Sequence, residues 1–127
     1  MPFRIEHSDG FVLVTLSGAL TAEDLRAVSA QLAALEDSLP ECPPRLTDLR
    51  TVEGVGVSFT DVLDLAAARR ARSFPNSFRS ALVVAREVQK GYARMFQTLN
   101  DHPMVQIRIF DDRESAEAWL RQPITER

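Results

Sequence analysis

The run SALVVA, Ser80 to Ala85, decides how this chain folds. It carries no charge and is too short for a buried helix, so it reads as a strand covered on both faces or lying at a sheet centre. Working outward, the flanks are helical. Upstream, Ser58-Phe-Thr-Asp61 is a capping box, and Phe59, Val62, Leu63, Ala66 and Ala67 follow as the expected inner face of a helix. Arg69, Arg70 and Arg72 load its last turn, where cations suit the negative end of the helix dipole, and Phe74-Pro75-Asn76 is a break. Downstream, Val88, Tyr92, Met95, Phe96 and Leu99 mark another helix, closed by Asn100-Asp-His-Pro103. Met104 to Phe110 then alternates, with Val105, Ile107 and Ile109 on one side and Gln106 and Arg108 on the other. That is a strand with one wet face, near a sheet edge. Asp111-Asp112 cap a last helix whose Ala116, Trp119 and Leu120 point inward, and Pro123 ends it.

The N-terminal half repeats this alternation. Phe3 to His7 and Phe11 to Ser17 are strand-like, with the hairpin signal Asp9-Gly10 between them, and Gly18 is expected to end the second. Thr21-Ala-Glu-Asp24 is a second capping box, and Leu25, Val28, Leu32, Leu35 and Leu39 form one apolar stripe until Pro40, Pro43 and Pro44 stop the helix. A compact strand, Arg45 to Leu49, leads into a two-glycine loop, Arg50 to Val57. The order β-β-α-β-α-β-α-β-α predicts one α/β domain over residues 1–127, with a mixed, mostly parallel sheet.

Composition bounds the function. Apolar residues at 45% and charged residues at 26% suit an ordinary globular domain. A net charge of −3 argues against a nucleic-acid partner, because neutralising phosphates takes a basic surface. Cys42 is alone, so no internal disulfide forms. The longest uncharged stretch, Gly10 to Ala22, is too short and polar to span a bilayer, and no leader pattern opens the chain, so a cytoplasmic location is expected.

Three parts of the chain carry a family resemblance: Leu16-Ser-Gly-Ala-Leu-Thr-Ala-Glu-Asp24, Asp48-Leu49, and Val105-Gln-Ile-Arg-Ile-Phe110 leading into Glu114-Ser-Ala-Glu-Ala-Trp-Leu120. In order and spacing these resemble the STAS superfamily of anti-sigma-factor antagonists and sulfate-transporter tails. Within it they are most similar to the bacterial SpoIIAA-like group, which is also compared with the CRAL-TRIO lipid-transfer fold. The resemblance implies a mixed sheet with helices mainly on one face. It also implies a non-enzymatic regulatory module that binds a protein partner, switched in the best-understood members by phosphorylation of a serine. That serine sits in an Asp-Ser pair at the start of the helix after the third strand, where this chain has Val57-Ser58.

The candidate sites follow. Gly54, Gly56, Ser58 and Thr60 form a candidate interaction loop, in which Ser58 is either an N-cap or a phosphoacceptor. Phe74, Phe78, Tyr92, Met95 and Phe96 are candidates for an apolar pocket between the second and third helices, which the lipid-transfer comparison would fill with a lipid-like ligand. Asp48 and Asp111 end strands, where capping competes with acid–base work. Arg69, Arg70, Arg72, Arg79, Arg86, Lys90 and Arg94 concentrate positive charge, as a solvated face or as a patch for an acidic surface. His7 and His102 lack metal-ligand spacing, and phosphate-loop, dinucleotide and nucleophile-elbow motifs do not occur, so no cofactor, metal or enzymatic activity is expected. A homodimer is compatible with this reading.

Overall fold

In β2 (Phe11–Thr21) apolar residues face both ways: Val12, Val14 and Leu16 enter one core and Phe11 another. Such a strand has to lie between two layers. The computed structural model describes residues 2–8 and 10–123, so Asp9 of the hairpin signal lies outside the described residues. β1 (Phe3–Ser8) pairs antiparallel with β2. The strands β3 (Arg45–Gly56), β4 (Phe78–Val83) and β5 (Val105–Phe110) add in parallel, giving the order β1-β2-β3-β4-β5. The connecting helices are α1 (Ala22–Ser38), α2 (Phe59–Arg70), α3 (Glu87–Leu99) and α4 (Arg113–Arg121). Apolar residues of α1, α2 and α3 pack on one face, around Val14, Leu49 and Leu82. On the other face α4 brings Ala116 and Leu120 onto Leu46, Ala81 and Val83.

Ser80 to Val84 of the SALVVA stretch are covered on both faces, while Ala85 lies past the strand and is exposed. The strand starts at Phe78 and ends at Val83, flanked by β3 on one side and edge strand β5 on the other. Val84 stays buried and joins the ladder by donating its N–H to Phe110 O at 2.9 Å. β5 keeps its alternation, with Gln106 and Arg108 exposed.

Two boundaries move. Gly18 does not end β2. Its φ of +69° is left-handed, and the strand absorbs it as a register shift before running on to Thr21. The segment expected as a two-glycine loop is strand as well: Gly54 pairs with Ala19 and Gly56 with Thr21. Beyond Asp48, β3 therefore leaves β4 and continues beside β2 alone. On its open side the carbonyls of Arg50 and Val52 accept from Gln89 Nε2 at 2.8 and 3.2 Å. The ribbon sets the starts of α1 and α2 side by side.

Candidate functional site

Both helix starts at this rim are capped alike. Thr21 Oγ1 accepts from Asp24 N, and Ser58 Oγ accepts from Asp61 N, each at 3.1 Å. Asp24 and Asp61 return the bond to the cap backbone, completing both boxes. Arg26 on α1 reaches Asp61 on α2 at 2.6 Å and ties the two starts together. The backbone and hydroxyl of Ser58, then the charge of Arg26, hold the Asp61 carboxyl below its ordinary value.

The next turn of α2 departs from the expected inner face. Val62 and Ala66 pack inward with Leu65, but Phe59 is 77% exposed and Leu63 52%. The helix is rotated by the residue one further turn along. Arg69 is 8% exposed and, among the described residues, is the one buried side chain of α2. Its guanidinium grips Glu36 of α1 through two bonds of 3.0 Å. Arg45 of β3 adds a third bond to Glu36 at 2.8 Å, and Arg72 approaches the same carboxylate at 3.4 Å while binding Asp37 at 3.0 Å. Burial, then the neighbouring Arg69, pushes the Arg45 guanidinium down to about 10, so it stays charged at neutral pH.

This cluster explains residues that the sequence suggested for other roles. Phe74 lies under Arg69 at 4.9 Å and Arg72 at 5.6 Å, and Phe78 under Arg45 at 5.5 Å. Together with Cys42 they form an aromatic bed for the cations. Tyr92, Met95 and Phe96 belong instead to the main core, so the structure does not gather the five into one pocket. The space between α1, α2, α3 and the sheet is a cavity of about 60 Å³, reached by Phe96 but floored by Arg45, Thr47 and Ser80. Burial, then the Glu36 charge, pushes the Cys42 thiol up. His102 is buried beside Phe74, its Nδ1 accepting from Met104 N at 3.1 Å, which leaves Nε2 to donate to Arg72 O at 2.7 Å.

The basic residues do not form one patch. Arg79 is buried on the opposite face, donating to Trp119 O at 2.7 Å and so capping the end of α4. Arg70 pairs with Asp101 at 2.7 Å and Lys90 with Glu87 at 3.0 Å. Asp48 registers with Val83, and Val83 with Phe110, which puts Asp111 two strands, roughly 10 Å, away. Burial pushes the Asp48 carboxyl up, yet its bonds from Arg50 outweigh this and leave it below the ordinary value. Acid catalysis asks for the reverse.

Helix α3 holds a residue that the sequence analysis passed over. Gln89 is fully buried; its Oε1 accepts from the N–H groups of Ala85 and Arg86 while its Nε2 donates to β3. Val88, expected inside, is 49% exposed, because Gln89, Ala93, Phe96 and Leu99 form the buried stripe. The pattern x-x-x-Gln at a helix start was the available signal.

This ordering of strands, with the caps and crossovers in these places, invites comparison with known proteins. The SpoIIAA-like family model matches residues 11–121. The chain belongs to the SpoIIAA-like family. One similar solved structure is that of an uncharacterised protein with a SpoIIAA-like fold from Shewanella loihica. It is 23% identical with a TM-score of 0.61, over 93% of this chain and 91% of that one. Another is an anti-sigma factor antagonist from Mycobacterium paratuberculosis, 18% identical with a TM-score of 0.63, over 94% and 93% of the two chains. Curated proteins give no match. At these identities the structures share the fold. Among the described residues no helix of this SpoIIAA-like chain is long and apolar enough to cross a membrane.

Proposed function

We propose that this SpoIIAA-like chain is a non-enzymatic regulatory module that binds a protein partner through the rim where α2 begins. One observation carries the reading: Phe59 and Leu63, one turn apart and directly after the Ser58 cap, hold large apolar side chains out to solvent. Hot spots of protein interfaces use such aromatic anchors. The fold shared with an anti-sigma factor antagonist supports the class of function. Ser58 and Thr60 flank Phe59 and are both exposed. Ser58 is the proposed phosphoacceptor: a phosphate on its Oγ would meet the N–H groups of the helix start but crowd the Asp61 carboxylate. It would thereby strain the Asp61–Arg26 link between α2 and α1. The adjoining Gly54–Gly56 strand end completes the surface.

A carrier of an apolar ligand between α2 and α3 has less behind it. The cavity of about 60 Å³ is well under the roughly 300–1,000 Å³ of ordinary ligand sites.

Affinity capture from the native host tests the proposal, with wild-type, Ser58→Asp and a Phe59→Ser/Leu63→Ser double variant as baits. The wild type should retain a partner that the double variant loses and Ser58→Asp alters. Retention of the same partner by the double variant would remove α2 as the surface, and identical capture by Ser58→Asp would remove the switch. Light scattering of the isolated chain adds a control. A dimer that dissociates in the double variant would assign the patch to a second copy.

A further inference from the structure

The sheet has two outer edges, and β1 forms one of them. The ladder shows which of its backbone groups face outward. Ser17 donates its N–H to Pro2 O at 2.8 Å, which makes Pro2 and Ser17 a hydrogen-bonded pair in the antiparallel register. Such pairs alternate with non-bonded ones. Arg4 and Glu6 therefore turn their backbone groups onto β2, while Phe3, Ile5 and His7 turn theirs away. Among the described residues no hydrogen bond reaches those outward groups, whereas Gln89 occupies the bare side of β3. Bulges blunt many natural edges, but β1 pairs with β2 without a register shift from Phe3 to Ser8.

Charged side chains also guard edges, and β1 carries two of opposite sign. Arg4 and Glu6 share the face opposite to Phe3 and Ile5. Their side chains are 74% and 45% exposed, and they bridge each other at 2.7 Å. This pair selects a register for meeting a second copy. Antiparallel pairing joins outward residues to outward residues, so a neighbouring strand can slide only in steps of two. Centring the pair on Arg4 or on Glu6 would set that residue against itself, and like charges directly opposite are destabilising. Centred on Ile5, Arg4 of each copy faces Glu6 of the other and Phe3 faces His7. All the outward groups then find partners, in about six N–H···O bonds.

We propose that two copies of this chain join antiparallel along β1, about a twofold axis at Ile5, into one continuous sheet. The interface is isologous, each copy giving Arg4 to the other's Glu6. Around the axis the four charges alternate in sign, and the half-buried Ile5 meets its counterpart. The opposite edge offers no such match, because Arg108 is the one charged residue of β5 and the strand holds no acid to oppose it. Antiparallel joining also points the two α2 rims in opposite directions, so each Phe59–Leu63 surface stays free for its own partner. The dimer neither requires nor blocks that surface.

Sedimentation equilibrium of the full chain, over a concentration series reaching the millimolar range, tests this. The wild type should reach a dimer. Arg4→Glu opposes acids across the axis and Glu6→Arg opposes bases. Each should weaken dimerisation about tenfold or more, as two cross-strand pairs turn from attractive to repulsive. Both positions are exposed, so the variants should melt as the wild-type monomer does. Mixing the two variants should restore dimers, as should the exchanged Arg4→Glu/Glu6→Arg double variant, because both recover opposite charges. His7→Pro removes an outward N–H, keeps the bonds to β2 and should weaken association as well. A wild type that stays monomeric throughout overturns the proposal, as does undiminished dimerisation of both single variants. Loss in the single variants without recovery on mixing would overturn the register. A dimer abolished by Phe59→Ser/Leu63→Ser would overturn the edge in favour of α2.

Discussion

Helices α2 and α3 lie side by side on the same face of the sheet, yet opposite means hold them there. α3 buries Gln89, Ala93, Phe96 and Leu99 in one stripe, so most of its attachment is apolar area and one satisfied amide. α2 contributes the half-buried Val62, Leu65 and Ala66, and what it buries deeply is an arginine on Glu36. Apolar packing is spread over many contacts, each small. An ion pair concentrates the attachment at one point and leaves the outer face of the helix free to show Phe59 and Leu63. The lesson is that α2 is docked by a clasp and α3 by a surface.

The largest expected effect tests the clasp. Glu36→Gln leaves the buried guanidiniums of Arg45 and Arg69 without their carboxylate and should cost about 3–5 kcal/mol in urea unfolding. Amide exchange should accelerate in α2 more than in α3, and equal acceleration would break the contrast. Next, Gln89→Ala leaves two N–H groups and the Arg50 carbonyl short of partners, Val52 O keeping Arg86 Nη2, and should cost about 1–3 kcal/mol, lost cooperatively across the domain. Ser58→Ala removes a cap and should cost about 1 kcal/mol, with faster exchange confined to the first turn of α2. Phe59→Ser and Leu63→Ser, both outward, should each change stability by less than about 0.5 kcal/mol. A larger loss would mean that α2 packs by area after all.

The pH dependence is the mildest test. Bonds from Ser58 hold the folded Asp61 carboxyl below its ordinary 3.8, and Asp112, bonded by Ser115, shifts the same way. A carboxyl lowered in the folded state adds stability that is present above the ordinary value and is lost as pH falls through the folded one. Melting temperature should therefore hold down to about pH 4 and decline below it. The Ser58→Ala variant should show a shallower decline, since it frees the Asp61 carboxyl from part of that bonding.

Where hydrophobic period and capping chemistry agree, the sequence was enough. The order of nine elements, both Ser/Thr capping boxes, the wet face of β5 and the inward Ala116 and Leu120 could all be read from local pattern. The errors in the facing of the helices share one cause, which is that a buried polar residue looks like a surface one in a pattern of hydrophobicity. Glu36 lies four residues after Leu32 on the buried stripe of α1, but its charge made Leu35 and Leu39 seem the better continuation. Arg69 and Gln89 misled the rotation of α2 and α3 in the same way. The strand through Gly56 was hidden because β propensity is poor at Gly54 and Gly56, while its pairing with Ala19 and Thr21 is non-local. Of the candidate site, the capping role of Ser58 was visible and the exposure of Phe59 was not, because that depends on a partner 33 residues from Arg69.

The amide of Gln89 has one more effect. Past Asp48 the third strand runs without its neighbour, and such a bare margin is a template onto which a foreign chain can zip. By occupying the carbonyls of Arg50 and Val52, the latter together with Arg86 Nη2, the glutamine side chain acts as a selvedge, finishing the woven border against extension from outside.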